Sequence, residues 1–359
     1  MKTQRNEISF KGQSIYVGID VHLKSWSVAV LSQTSVMKKF RMDPNPEGLK
    51  TYLTNNFPEA DYYSVYEAGF CGFWIHDRLT SLGINNIVVN PADVPTTGGE
   101  KLRKTDAVDS VKLARSLRAN ELKGIYTPDA ASLEIRSLIR LKNSITKDMT
   151  RQKNRIKSTL RYLGVEIPKE YTEPFSNWSK RFILWLCEVQ MNTPSGRDAL
   201  DLQIEQFEAL RKQKLMMTRK LRALGRGDRF KDDLDLIMSV PGIGMTTGMA
   251  LLAEICDISR FTDGAHLAAY IGMTPMCHSS GEHDGTGDIT IRKNAIMRCN
   301  LIEAAWVAIR QDAAMNLYYT ECCRRMVASK AIVKVARKLV NRIYYVLKRR
   351  KKYVNNVVS

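Results

Sequence analysis

The chain has 359 residues, with 55 Lys and Arg against 37 Asp and Glu, so its formal net charge is +18. This excess favours a polyanionic partner, either nucleic acid or an anionic membrane surface. No apolar run approaches the roughly 20 residues of a membrane-spanning helix, and no signal-peptide core follows the first residues. Seven cysteines at irregular spacing fit reduced thiols in a cytoplasm better than a disulfide framework.

The first part of the chain predicts a mixed sheet flanked by helices. The predicted strands are residues 15–19, 26–31, 36–42, 62–66 and 86–89, and the predicted helices are residues 46–55, 73–82 and 106–118. Short connections predict an antiparallel meander for the first three strands. Strands followed by alternating β and α units are typical of an α/β fold. The long segment 91–102 indicates a mobile functional loop.

Four acidic residues stand at strand ends and at a helix start in this region. Asp20 follows the first apolar run, Glu67 ends another, and Asp106 and Asp109 share one face of a predicted helix. Clustered carboxylates hold hard cations such as Mg²⁺, and two ions can clamp phosphate oxygens during displacement. The alternatives are a strand-end turn for Asp20 and helix capping for Asp106 and Asp109.

A helical and strongly basic region begins near residue 132. Its apolar seam is Leu138, Ile145, Met149, Ile156, Leu160 and Leu163, which predicts a coiled coil. Nine cationic residues lie between 136 and 161 against one acid, Asp148. A solvated face needs fewer cations, so we expect Arg151, Arg155 and their neighbours to contact nucleic-acid phosphates. A second basic amphipathic helix is predicted over residues 324–352.

A glycine-rich turn joins two predicted helices at residues 239–248. Pro241, Gly242 and Gly244 lie in this turn, which is similar to a helix-hairpin-helix element. Its backbone N–H groups and the following helix N-terminus can contact a DNA phosphate. The alternative is a simple helix-to-helix connection, which glycine also suits.

Adjacent serines precede a glycine at residues 279–281. We interpret this segment as a flexible loop whose serine attacks a DNA phosphate, although such serines are usually loop filler. Because a free serine is a poor nucleophile, it needs a base, a metal or oriented cations. His278 or His283 could supply the base, and Arg292 or Arg298 could neutralise the phosphate charge.

Taken in order, these motifs resemble the insertion-sequence-110 transposase family, which includes the Piv-type DNA invertases. The motifs are residues 16–22, 66–69, 104–114, 240–244, 269–275 and 279–281. The ordered set covers roughly residues 14–310 and is more specific than any single motif. One departure is residues 291–294, where Ile-Arg-Lys-Asn replaces the Lys-Arg-Gly-Asn run that is usual in the family.

The resemblance implies a recombinase with a two-part site. A RuvC-like, ribonuclease H-like domain would hold Mg²⁺ or Mn²⁺ on Asp20, Glu67, Asp106 and Asp109. A C-terminal transposase domain would carry the nucleophile, Ser280, with Ser279 as the fallback. Its partners would be the double-stranded DNA of the element ends and target, and a structured guide RNA from the element. The enzyme would act as a dimer or tetramer in the bacterial cytoplasm, at the nucleoid.

The expected fold is therefore α/β plus α. We predict a RuvC-like metal-binding domain at 1–130, a helical coiled-coil region at 131–231, a mainly helical transposase domain at 232–320 and a basic C-terminal helix at 321–359. Two other functions remain open. One is a metal-dependent, junction-resolving nuclease without a covalent intermediate, and the other is a non-enzymatic nucleic-acid-binding protein.

Overall fold

The computed structural model of the chain describes residues 9–96, 106–173, 176–280 and 283–355, without the side chains of 107 and 277–286. The chain forms two compact units, Met1–Pro128 and Asp129–Ser359. The finer division into four domains stays a prediction.

The first unit contains the predicted mixed sheet. Its strands are β1 Ser14–Val21, β2 Trp26–Leu31, β3 Val36–Met42, β4 Asp61–Glu67 and β5 Asn85–Val89. The strand order is β3-β2-β1-β4-β5, with β1–β2 and β2–β3 antiparallel and β1–β4 and β4–β5 parallel. This confirms the predicted meander and the α/β class. The helix before β4 and the helix before β5 supply the crossovers that parallel strands require.

Helices cover both faces of this sheet. They are α1 Pro46–Asn56, α2 Trp74–Ser81 and α3 Asp106–Arg118, and Pro91–Asp93 adds a 3-10 turn. Because side chains alternate along a strand, odd-numbered β1 residues such as Ile15 and Val17 pack with α1 and α2. Even-numbered positions face α3, whose Ala114 packs with β2. The remainder of the predicted mobile loop, residues 97–102, lies outside the described residues.

A glycine in β1 determines how closely α3 approaches the sheet. A Cβ placed on Gly18 would lie 2.6 Å from the backbone N of Ala114 and still closer to the backbone O of Ser110. Only glycine leaves room for this contact. The same packing places the N-terminal turn of α3, with its two acids, at the end of β1.

The second unit begins with a helical hairpin. Its helices are α4 Ala130–Tyr162, α5 Lys180–Glu188 and α6 Pro194–Gly225, with a 3-10 turn at Lys169–Tyr171. Gln152 Nε2 donates to the carbonyl of Gln203, whereas Ile139 packs with Leu221, so α4 and α6 run antiparallel. The predicted helical region is confirmed. Supercoiling of these helices stays a prediction.

The rest of the second unit surrounds one large core. Its elements are α7 Lys231–Met238, α8 Met245–Ile255, a 3-10 turn Ile258–Arg260, α9 Gly264–Ile271, β6 Pro275–Ser280, β7 His283–Ile289, α10 Ala295–Gln311, α11 Ala313–Cys323 and α12 Ala328–Arg349. The predicted apolar face of the last helix is confirmed: Ile332, Ala336, Leu339, Ile343 and Leu347 are buried. Helix α12 packs against α9, α10 and α11 and so belongs to this core.

The prediction of a flexible loop around the adjacent serines is wrong for Ser279 and Ser280, because both residues belong to a strand of a β-hairpin. β6 and β7 pair antiparallel, with Ser279 opposite Asp284 and Ser280 opposite His283. Residues 281–282 lie outside the described residues. Glycine and aspartate, which recur in β7, have low strand propensity, so the sequence signal for strands was weak, and pairing between the two segments overrides it.

Within the described ranges, no helix has the length and apolar character that crossing a membrane requires.

Candidate active site

Two parallel strands deliver the first two acids to the same edge of the sheet. Ile19 of β1 is opposite Tyr66 of β4, so Asp20 and Glu67 are the next residues on neighbouring strands. Glu67 is the last residue of β4 and Asp20 the last but one of β1. Both acids therefore lie at the carboxyl ends of neighbouring parallel strands.

Helix α3 brings the other two acids to this edge. Asp106 is its first residue, and Asp109 lies one turn further on. Burial raises the pKa of the Asp20 carboxyl, His22 opposes this increase, and the charges of Asp106 and Asp109 add to it. Three of the predicted carboxylates thus lie within electrostatic range of one another.

His22 bridges two of these acids. Its Nε2 lies 3.2 Å from Asp20 Oδ2 and 3.5 Å from Asp106 Oδ1. One ligand atom from each of the three residues lies within 4.8 Å of the others. Arg41 of β3 also pairs with Asp106, at 2.7 Å between Nη2 and Oδ2. Sequence reasoning gave His22 no role, although its position two residues after Asp20 was a signal.

Lys112 bridges the remaining two acids. Its Nζ lies 3.3 Å from Asp109 Oδ1 and 3.9 Å from Glu67 Oε1. The Lys112 side chain is only 11% exposed, so the ammonium is held against these carboxylates. The spacing of three residues from Asp109 to Lys112 on one helix was the available signal, and it was missed.

The donor set fits a hard divalent cation. Carboxylate oxygens are the protein ligands that Mg²⁺ and Mn²⁺ prefer. Burial and, to a smaller extent, the charges of Asp106 and Asp109 raise the pKa of the Asp20 carboxyl. A divalent cation would offset both effects by favouring the ionised form. Asp20 and Asp106 each offer a carboxylate oxygen to the same cluster of ligand atoms, and His22 offers a nitrogen beside them.

The glycine-rich turn between α7 and α8 packs largely inward. Pro241 is buried, and Gly242 has φ +82° with its N–H donating to Gln311 Oε1 at 3.2 Å. A Cβ on Gly242 would lie 2.9 Å from the carbonyl carbon of Ala304, so this position requires glycine. Gly244 is exposed and caps α8. Gly244 is the most exposed residue of the turn, whereas Gly242 is half-buried.

The two arginines predicted beside the serine segment differ in their surroundings. Arg298 is buried, and both of its Nη atoms donate to the carbonyl of Thr290, at 3.0 and 3.1 Å. Its guanidinium thereby holds the chain that leaves β7. Arg292 is exposed, so its guanidinium lies at the surface. Ser279 and Ser280 are the last two residues of β6, and their side chains lie outside the description.

The basic residues of α4 lie on an exposed face. The Arg151 side chain is 71% exposed and pairs with Asp148, at 3.0 Å between Nη1 and Oδ1. Arg155 is exposed and donates to Gln152 Oε1. Both guanidinium groups can reach a phosphate, and their nucleic-acid contact stays a prediction.

Two family models match this chain. Residues 17–164 match a DEDD-type model described as a transposase, and residues 234–320 match the transposase IS116/IS110/IS902 family. The first match contains all four acids, and the second contains the glycine-rich turn and the β6–β7 hairpin. Together they span more than half of the 359 residues.

Named transposases are similar over most of their length. The transposase for insertion sequence element IS1533 of Leptospira borgpetersenii is 24% identical over 70% of this chain and 72% of its own. The transposase for insertion sequence element IS1111A of Coxiella burnetii is 23% identical over 85% of each chain. This chain therefore belongs to the IS116/IS110/IS902 family of transposases, enzymes of mobile elements that cleave and rejoin DNA.

Proposed function

We propose that this transposase cuts and rejoins DNA with a divalent-cation site on Asp20, Glu67, Asp106 and Asp109 and a nucleophile at Ser280. The observation that carries the proposal is the convergence of the four acids at one edge of the sheet. The His22 ring lies between Asp20 and Asp106, and the Lys112 ammonium lies between Glu67 and Asp109.

Asp20 and Asp106 would hold the cation, Mg²⁺ or Mn²⁺, with Glu67 and Asp109 beside them. When bound, such a cation stabilises negative charge on phosphate oxygens. Arg41 is 69% exposed next to Asp106 and adds positive charge at the same edge. A DNA phosphate that approaches these carboxylates therefore also meets a guanidinium.

Ser280 would attack the phosphorus of a DNA phosphodiester through its Oγ. The new bond joins Oγ to phosphorus, the bond from phosphorus to the leaving strand breaks, and the leaving hydroxyl takes the proton that serine loses. The resulting phosphoserine conserves the energy of the phosphodiester for rejoining. Support comes from the resemblance of residues 279–281 to the family's serine motif, within the range 234–320 that the family model matches, and from the exposed Arg292 further along the chain.

The family resemblance also supports a guide RNA and a multimer. A structured RNA from the element would select the double-stranded DNA of the element ends and of the target. The exposed arginines of α4 and the net charge of +18 suit such a partner. A dimer or tetramer would let the acidic site of one subunit act with Ser280 of another.

The test is to look for protein covalently linked to DNA. The full chain, its RNA and supercoiled DNA with both element ends are incubated with Mg²⁺, and the products are denatured. We expect protein-linked DNA with the unmodified chain and with Ser279→Ala, and none with Ser280→Ala. Cleaved DNA without linked protein would instead identify a nuclease that hydrolyses with water. Binding without cleavage under every condition would favour the non-enzymatic alternative.

A further inference from the structure

A cavity of about 710 Å³ lies between the base of the β6–β7 hairpin and α12. Its apolar lining consists of Met273, Pro275, Ile289, Met326 and Val333. Lys330, Lys334 and Arg337 of α12 line it as well. An apolar surface and a row of cations therefore face the same space, within the second unit.

Few acidic side chains pair with the cationic side chains that line this cavity. Lys330, Lys334 and Arg337 are spaced by four and three residues, so they share one face of α12. Lys330 pairs with the exposed Asp288, at 3.3 Å between Nζ and Oδ1. In the part of the chain that the structure describes, Lys334 and Arg337 have no acidic partner. α12 itself contains no acidic residue.

The cationic face continues into a second cavity of about 400 Å³. It shares Lys334 and Arg337 with the first and extends to Tyr318 and Lys338. The Lys338 Nζ lies 4.3 Å from the centroid of the Tyr318 ring. The two cavities together form a groove with cations along α12, apolar at one end and aromatic at the other.

A nucleotide has the chemistry that this groove would recognise. Its base presents apolar faces, its phosphate is anionic, and the first cavity lies within the range of about 300–1,000 Å³ that small-molecule sites occupy. A base that is paired and stacked inside a duplex cannot enter such a cavity, so the nucleotide must be unpaired. Aromatic and cationic side chains along one groove are typical of single-strand binding.

The hairpin relates this groove to the proposed nucleophile. Pro275 lines the cavity at the start of β6, and Ser280 ends the same strand five residues later. At about 3.3 Å per residue, these positions are about 16 Å apart. A stacked strand carries one phosphate per about 3.4 Å, so the cavity is roughly five nucleotides from a phosphate at Ser280. Joining a strand to a new partner requires base pairs near the cut to open.

We propose that this cavity holds an unpaired nucleotide of the DNA strand that is cut at Ser280. The base occupies the space beside Ile289 and Val333, and the phosphate lies on Lys334 and Arg337. This assignment rests on the proposed role of Ser280. It adds a site that keeps the opened strand in place during exchange.

The test is a binding measurement in EDTA, which needs no cleavage. Fluorescence anisotropy of the full chain is measured with an eight-nucleotide DNA strand, the same strand without its bases, an RNA strand and a duplex of equal sequence. We expect the intact DNA strand to bind about tenfold more tightly than the strand without bases. We also expect it to bind more tightly than the duplex.

Two variants of the groove locate this binding. Lys334→Ala with Arg337→Ala should weaken strand binding about tenfold and reduce the slope of log affinity against log salt by about 1.4. Val333→Glu should abolish the difference between strands with and without bases. The matched control is Lys212→Ala with Lys220→Ala, which removes the same charge from exposed positions on α6. Thermal unfolding shows whether each variant folds. If Val333→Glu does not fold, the double variant at Lys334 and Arg337 still tests the site.

Three results would overturn the proposal: equal losses in the two double variants, no effect of removing the bases, or a groove-dependent preference for RNA over DNA. The test of the nucleotide site can fail independently of the test of Ser280 as the nucleophile. Absence of protein-linked DNA with retained, base-dependent binding would reject Ser280 as the nucleophile and keep the nucleotide site. Linked DNA without base-dependent binding would reject only the site.

Discussion

Gly18 of β1 and Ala114 of α3 are in such close contact that a Cβ on Gly18 would lie 2.6 Å from the Ala114 backbone N. This contact sets the distance between the sheet and α3. It therefore sets where Asp106 and Asp109 lie relative to Asp20, which stands two residues after Gly18 on the same strand. Packing at one glycine thus determines the geometry of the candidate cation site.

Gly18→Ala should destabilise the protein and separate the acids. The added methyl group meets backbone atoms, which cannot move aside as a flexible side chain can, so we expect a loss of about 1–3 kcal/mol in the free energy of unfolding. Urea denaturation measures this loss. Gly69→Ala is the control, because a Cβ there would meet only the Glu67 carbonyl, at 3.9 Å. Equal stability of the two variants would show that α3 moves away without cost.

Asp20→Asn should remove the stabilisation that a divalent cation provides. The unmodified chain should gain about 2.7 kcal/mol at a Mg²⁺ concentration one hundred times the Kd, and the variant should gain little. Without cation, the variant should unfold at an equal or higher temperature, because burial and the nearby Asp106 and Asp109 raise the pKa of Asp20 and so disfavour its charged form in the folded chain. Thermal unfolding with Mg²⁺ and with EDTA gives both values.

Asp61→Asn is the matched control for that experiment. Asp61 begins β4, whereas Glu67 ends it, so the substitution lies at the opposite edge of the same sheet. Its response to Mg²⁺ should match that of the unmodified chain. If Asp20→Asn kept the full response, the cation would bind elsewhere.

Lys112→Met should tighten cation binding. The Lys112 ammonium lies within 4 Å of Glu67 and Asp109, so it lowers the negative potential that attracts a divalent cation. We expect the Kd for Mn²⁺ to fall roughly tenfold, measured by titration calorimetry. Lys112→Arg keeps the charge and should change the Kd little. Weaker binding in Lys112→Met would show instead that the ammonium is needed to orient the two carboxylates.

Arg298→Ala should lower the stability of the protein, whereas Arg292→Ala should weaken its binding to DNA. Removing Arg298 leaves the carbonyl of the half-buried Thr290 without these two donors, and this should cost about 1–3 kcal/mol of unfolding free energy. Removing the exposed Arg292 should change stability by about 0.5 kcal/mol or less. Arg292→Ala should instead reduce the salt dependence of DNA binding by about one phosphate contact. Denaturation and a salt titration of DNA affinity separate the two roles, and a stable Arg298→Ala variant would contradict this assignment.

The elements of the first unit follow from local patterns. Runs of strand-forming residues bounded by turn residues predicted all five strands, because the pattern that marks a strand lies within a few neighbouring residues. Local patterns also predicted that Asp20 and Glu67 stand at strand ends and that Asp106 and Asp109 stand at a helix start. The helix α12 was predictable for the same reason, since its apolar face repeats every turn.

Pairings across the chain were decided only by the tertiary structure. The position of His22 two residues after Asp20 is local, but its contact with Asp106 depends on α3 packing against Gly18. The β6–β7 hairpin forms from residues with weak strand propensity, because each strand satisfies the backbone groups of the other. Sequence alone therefore determined which residues are chemically equipped for the site. Long-range packing decided which basic side chain faces which carboxylate, because such distances are set by backbone atoms far apart in the chain.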